Sequence, residues 1–148
     1  MQAYEAGVPF PVNGLDWPTR DGSGLRDYVH VWDLADAHLR ALERFDDIFA
    51  VGGTPHTAVN LGSGTGTTVL ELVAAFNAVV DRPVLVREAP RRPGDTAGGY
   101  TCSRRAWEML GWRAQRDLFT GIADSLAWHD RRGQVLVDLP ARRRQLAG

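Results

Sequence analysis

The chain has 148 residues, 44% apolar and 24% charged, with 17 basic side chains against 18 acidic ones and a formal net charge of −1. All 17 basic residues are arginine, which excludes from these residues a Schiff-base lysine, a P-loop ending in Gly-Lys-Ser/Thr and a proton-abstracting Tyr-x-x-x-Lys pair. The balance is that of a soluble globular domain, and its near-neutral charge argues against nucleic acid as a partner.

In chain order, the first 24 residues carry Pro9, Pro11, Gly14, Pro18, Gly22 and Gly24 and predict an extended, turn-laden lead-in. The run LRDYVHVW, from Leu25, alternates like a strand. Asp33, with Asp36 three residues on, predicts the cap of a helix over about Leu34 to Phe45 that buries Leu34, Ala37, Ala41, Leu42 and Phe45. A glycine-containing loop, Val51 to His56, leads into a short apolar strand, TAVNLG. Thr68 and Glu71 form a capping box for a second helix whose stripe is Val69, Leu72, Val73, Phe76 and Val80. Pro83 opens a third strand, VLVRE, and the loop APRRPGDTAGG follows. Two further helices fit Ser103 to Leu110 and Leu118 to Arg131.

Strands alternating with helices predict an α/β fold with mostly parallel pairing, and three strands are too few to close a sheet covered on both faces. The organisation expected is a lead-in over residues 1–24, an α/β region over 25–131 and a basic, solvated tail over 132–148. The single cysteine, Cys102, leaves no internal disulfide and fits a reducing compartment. No apolar run approaches the roughly 18 residues of a membrane span, and the first residues carry no leader pattern, so a cytoplasmic protein with no membrane partner is expected.

Several groupings could carry chemistry. Gly62, Gly64 and Gly66 lie between a strand and a helix, and Glu88 ends the next strand, as in a dinucleotide site. The spacing is wrong: the third glycine of Gly-x-Gly-x-x-Gly is Thr67 here, and a plain strand-to-helix turn is the stronger reading. Arg26, Asp27 and Tyr28 head a strand, while Arg91, Arg92 and Asp95 sit in a proline- and glycine-punctuated loop. Paired guanidinium groups suit a diphosphate and a carboxylate suits two vicinal hydroxyls, although paired arginines also decorate ordinary surface loops. His30 and His38 flank Asp33 and Asp36 without the one-face spacing of a metal site, so these histidines, His56 and His129 read as structural and no metal is expected. Trp17, Trp32, Trp107, Trp112 and Trp128 read as packing anchors.

Taken together, the runs DWPTRDGSGLRDYVHVWDLADAH, VNLGSGTGTTVLELVAAF, APRRPGD and RRAWEMLGW resemble the C-terminal half of NAD-dependent UDP-glucose 4-epimerases, of the extended short-chain dehydrogenase/reductase family. The likeness covers roughly residues 8 to 131 in the right order. It implies the substrate-binding part of such a fold, with an incomplete Rossmann-type sheet. In the family, NAD takes hydride from C4 of the hexose, a tyrosine takes the hydroxyl proton, and the 4-keto sugar turns before hydride returns to its other face. The cofactor loop and the Tyr-x-x-x-Lys pair belong to the other half, so this chain is expected to bind no NAD alone, to carry no catalytic residue and to be inactive by itself.

The resemblance also implies a substrate site. Arg26 and Arg92 match arginines that hold the diphosphate of a UDP-sugar, Asp95 matches the ribose ligand and Tyr28 a neighbouring pocket residue. Pro11, Val12 and Asn13 match the segment beside the uracil, with Asn13 in place of the usual bulky aromatic. Gly99, four residues after Asp95, matches the side chain bordering the sugar, and a glycine there implies a pocket roomy enough for an N-acetylated hexose. An N-terminal cofactor domain or a homodimer partner would complete the enzyme. The alternatives are a non-catalytic sugar-nucleotide or interaction module, and a small dinucleotide binder using residues 62–66.

Overall fold

The computed structural model describes residues 1–50 and 56–146, with the backbone alone for residues 50 and 137–146. The loop expected at Val51 to His56 falls almost wholly outside the described residues. The lead-in is more regular than its proline and glycine content implies. A short helix α1 (Gln2–Ala6) stops at Gly7, whose left-handed φ of 65° closes the turn. Strand β1 (Phe10–Asn13) then pairs in parallel with β4 (Val86–Ala89), Phe10 opposite Val86 and Asn13 opposite Ala89.

Among the described residues β1 has one partner strand, so the missing N–H of Pro11 interrupts no ladder on the other edge. Strand β4 begins at Val86 rather than at Pro83. The Asn77 side chain takes both the N–H and the C=O of Val84, at 2.8 and 3.1 Å, and holds that residue off the ladder.

The alternating run from Leu25 yields only a two-residue strand, β2 (Leu25–Arg26), antiparallel to β3 (Thr67–Thr68). Helix α2 (Val31–Glu43) begins earlier than expected, and its cap is His30, not Asp33. The His30 Nδ1 accepts the N–H of Trp32 at 3.1 Å. Val31 and Trp32, which gave the run its strand-like composition, stand 70% and 63% exposed on the first turn. Of the expected stripe Ala37 is buried, whereas Leu42 and Phe45 face solvent, Phe45 at the start of a separate helix α3 (Phe45–Ala50).

TAVNLG forms no strand among the described residues, because a strand needs a neighbour for its backbone groups. Val59 and Leu61 instead pack on the core. Helix α4 (Val69–Val79) carries the full capping box expected: Thr68 accepts the N–H of Glu71 at 3.2 Å and the Glu71 carboxylate takes the N–H of Thr68 at 2.9 Å.

Helix α5 (Arg104–Leu110) falls as expected and ends at Gly111. Helix α6 (Leu118–Leu146) starts where expected but runs past Arg131 through the stretch expected as a basic tail, whose leucines, arginines and glutamines favour a helix although Gly133 and Pro140 within it do not. The core lies between α2 and α5, where Ala37, Ala106, Leu110 and Trp112 are buried. Of the other tryptophans Trp32 is mostly exposed and Trp107 and Trp128 are about half exposed, so these three do not anchor the core. Among the described residues the pairing is thus one parallel and one antiparallel two-stranded sheet, an α/β arrangement with a partial Rossmann-type sheet.

Candidate functional site

The loop after β4 separates its two arginines. Arg91 donates from Nε to the Asp16 carboxylate at 2.7 Å, and its Cζ lies 3.6 Å from the centre of the Trp17 ring. Arg92 stays 67% exposed and pairs with Asp95, Nε to Oδ2 at 3.1 Å. The turn between them closes through the Asp95 N–H on the Arg92 carbonyl at 3.0 Å. The hydrogen bond from Arg92, assisted by the charges of Arg92 and Arg26, holds the Asp95 carboxyl below its ordinary value, so it is a carboxylate at neutral pH.

Arg26 reaches this loop through β2. The Leu25 N–H donates to Ala97 at 2.7 Å and Leu25 bridges Gly98, which lays residues 97–99 beside β2. Gly98, with φ of 94°, is where a side chain is excluded: a Cβ there would collide with the Leu25 carbonyl and with the Arg26 guanidinium lying over it. The Arg26 charge is thereby close enough to act on the Asp95 carboxylate that Arg92 holds, with Gly99 next to the bridged Gly98. A Cβ at Gly99 would meet nothing within 4 Å.

Asn13 joins the same loop, its Nδ2 donating to the Pro90 carbonyl at 3.1 Å. Pro11 is exposed on β1, while Val12 is 1% exposed and belongs to the core. Tyr28 faces elsewhere. It lines an apolar cavity of about 630 Å³ with Phe10, Leu72, Phe76, Ile122 and Trp128, and burial raises its phenol above the ordinary value against the opposing charge of Arg26.

Asp27, between Arg26 and Tyr28, explains the glycine loop. Its carboxylate accepts the Ser63 N–H at 2.8 Å, the Ser63 hydroxyl at 2.5 Å and the Thr101 N–H at 3.0 Å. Gly62 is buried there because a Cβ would run into both Asp27 and Thr101. Burial alone would raise the Asp27 carboxyl, but the donors from Ser63 and Thr101 outweigh it and hold it low. Sequence reasoning missed this role because the partners lie 36 and 74 residues away. The same holds for Asp33, read as a helix cap: it takes the N–H groups of Gln115 and Arg116, each at 3.0 Å, and the Arg116 guanidinium.

Residues 62–66 offer no seat for the pyrophosphate of NAD. The α4 N-terminus is closed by Glu71, which Arg20 holds with Nε to Oε1 at 2.6 Å, and Asp27 already takes the Ser63 N–H. A pyrophosphate there would meet two carboxylates, so the residues do not fit that group. Among the described residues no cluster of histidine, cysteine and carboxylate side chains could hold a metal, and no helix is long and apolar enough to cross a membrane.

The carboxylates tied down in this way set an acid limit. The Arg20 hydrogen bond lowers Glu71 from an ordinary 4.5 to about 2, and Asp21, Asp27 and Asp33 are also held low. A lowered folded-state value stabilises above the unfolded value and is lost as pH falls through the folded one. Thermal midpoints should therefore be flat near neutrality and fall steadily from about pH 4.5 towards pH 2, less steeply in Glu71→Gln. A midpoint unchanged over that interval contradicts the assignment.

The fold and these loops define the class: part of the Rossmann-type fold of an extended short-chain dehydrogenase/reductase. The model of the NAD dependent epimerase/dehydratase family matches residues 2–62. The UDP-glucose 4-epimerase of Rhizobium meliloti is 44% identical over 125 residues, 84% of this chain and 37% of that protein. The Bacillus subtilis UDP-glucose 4-epimerase is 47% identical over 117 residues, 79% of this chain and 33% of that protein. Among solved structures, a UDP-glucose-4-epimerase from Stenotrophomonas maltophila with bound NAD and formylated UDP-arabinopyranose superposes with a TM-score of 0.79 at 36% identity, over 90% of this chain and 39% of that one. The Bifidobacterium longum enzyme in complex with NAD+ and UDP gives 0.73 at 35% identity, over 83% and 35%. The chain belongs to the NAD dependent epimerase/dehydratase family, among the relatives of UDP-glucose 4-epimerases. It spans about a third of the length of the curated relatives it matches.

Proposed function

We propose that this chain is the part of a UDP-glucose 4-epimerase that holds the UDP-hexose. The observation that carries the reading is Asp95 set beside Arg92 and Arg26 in an open loop, with Gly99 four residues on. Each guanidinium can present two parallel N–H groups to a diphosphate oxygen pair, and the Asp95 carboxylate can accept two ribose hydroxyls. Without ligand the Arg92–Asp95 pair keeps both groups satisfied, and the substrate exchanges that contact for its own. Pro11 and Asn13 supply the strand edge beside the base with Val12 anchoring it from the core, while Tyr28, which lines the separate apolar cavity, stays outside the clamp. The geometry of residues 90–95 keeps the nucleotide fixed while the 4-keto sugar turns.

Hydride acceptance at C4 is supplied by NAD, and these residues hold neither its binding loop nor a Tyr-x-x-x-Lys pair. The chain alone is therefore inactive and binds no NAD, a cofactor-bearing segment or a dimer partner completing the site in a cytoplasmic setting. Purified chain with UDP-galactose and added NAD should give no turnover, and measurable UDP-glucose formation without a partner contradicts this. In a completed enzyme the open space at Gly99 admits an N-acetylated hexose. Gly99→Tyr should then cut kcat/KM for the N-acetylated sugar by about tenfold or more relative to the plain one. Equal turnover and affinity for the two sugars in that variant would sink the idea.

A further inference from the structure

We infer that Arg91 is a positioning residue that, with Trp17 and Asp16, fixes the spacing between the base segment and the diphosphate arginine. The inference rests on the proposed UDP site in assigning a role to what is positioned. Two adjacent arginines in one loop have opposite surroundings. Arg92 is open, whereas Arg91 has its guanidinium committed three ways: Nε to Asp16 Oδ1 at 2.7 Å, Nη2 to the Asp16 carbonyl at 2.8 Å, and its Cζ 3.6 Å from the Trp17 ring centre. A planar fork can bond edge-on and stack face-on at once, which an ammonium cannot.

Trp17 is itself held. Its indole N–H donates to the Asn13 carbonyl at 3.3 Å and its backbone N–H to Gly22 at 2.9 Å. Gly14, at φ of 77°, makes room for the stack, since a Cβ there would lie 2.6 Å from Trp17 Nε1 and 2.8 Å from Arg91 Cγ. Two further bonds run the other way, Gly14 N–H to Ala89 at 2.9 Å and Asn13 Nδ2 to Pro90 at 3.1 Å. The chain on the N-terminal side of Arg92 is thus clamped to the turn that follows Pro11, Val12 and Asn13. Loss of the clasp leaves both half-sites in place but no longer at one spacing.

Two variants test this, Arg91→Met, which keeps an unbranched stem but removes the guanidinium, and Asp16→Ala, at a side chain that is 75% exposed and outside the core. Amide hydrogen exchange of the ligand-free chain is the first measurement. Exchange at the Gly14 and Asp95 amides should rise about tenfold or more in both variants, with the α4 amides unchanged. The second is binding of UDP, uridine and pyrophosphate, in which UDP should weaken by about tenfold while uridine and pyrophosphate change little. Unchanged exchange at Gly14 and Asp95 overturns the inference. Equal loss for pyrophosphate and UDP also overturns it, because Arg91 then touches the ligand directly. A wild-type chain that binds no UDP refutes the proposed function, and the exchange data still decide the clasp.

Discussion

Replacing Gly98 with alanine should destabilise the chain by about 3 kcal/mol, at the upper end of single-residue backbone effects. Two penalties combine there. The φ of 94° is one that an L side chain rarely adopts, and the new Cβ would overlap the Leu25 carbonyl, which is backbone and cannot swing aside. Relief requires residues 97–99 to part from β2, which breaks the Leu25 N–H bond to Ala97 and moves the Arg26 guanidinium. Gly64→Ala is the matched control. Its φ of 80° is similar, but a Cβ there meets nothing within 4 Å, so only the backbone strain of about 1 kcal/mol applies. Urea unfolding of the two variants side by side reads the difference, and equal midpoints would show that the Leu25–Gly98 contact is not what holds this loop.

Trp112→Ala carries the other large effect, a loss of about 3–5 kcal/mol. Trp112 is 1% exposed and is the largest fully buried side chain. Truncation leaves a cavity among Ala37, Ala106 and Leu110, because the surrounding structure relaxes only in part. It also removes the indole N–H that donates to the Asp33 carbonyl at 2.8 Å. Trp112→Phe separates the two contributions, since it keeps most of the volume and should lose about 1 kcal/mol for the hydrogen bond plus a smaller packing loss. Trp128→Ala, at a side chain that is half exposed, should cost far less. Equal losses at Trp112 and Trp128 would contradict the placement of the core.

What was legible in the sequence follows the range of each interaction. The Thr68 and Glu71 capping box is a signal complete within four residues, and the structure carries it in full. The helix over residues 103 to 110 ends at Gly111, again a local device. By contrast, Val31 and Trp32 look like strand residues by composition, and the cap that turns them helical, His30, is fixed in part by a contact to Asp124 on α6 at 3.1 Å. The TAVNLG run has strand chemistry without a strand beside it, and no propensity can supply a partner. The anchoring roles of Asp27 and Asp33 are not legible in the sequence, because their donors come from distant loops.

The candidate site divides in the same way. Arg92 and Asp95 are three residues apart, and their turn is local enough to be read from PRRPGD. The approach of Arg26 is not, since it depends on the Leu25 bridge to Gly98. Roles for Pro11, Val12, Asn13, Tyr28 and Gly99 came from family likeness. Of these, Val12 is a core residue as well as a candidate neighbour of the base, and Tyr28 looks into the apolar cavity rather than toward Arg92. The separation of Arg91 from Arg92 could not be read from two identical letters. It is written in Gly14, Asp16 and Trp17, some 75 residues earlier.

The central claim is that residues 26, 92 and 95 form a nucleotide clamp, and calorimetric titration of the wild-type chain and Arg92→Ala with UDP tests it most directly. Arg92 is exposed and outside the core, so its loss should leave the fold intact while removing a charge-assisted contact worth about 1.5–3 kcal/mol. The expected result is saturable UDP binding by the wild type, weakened by about tenfold to a hundredfold in the variant. No UDP binding by the folded wild type, or the same affinity in both, would contradict the account.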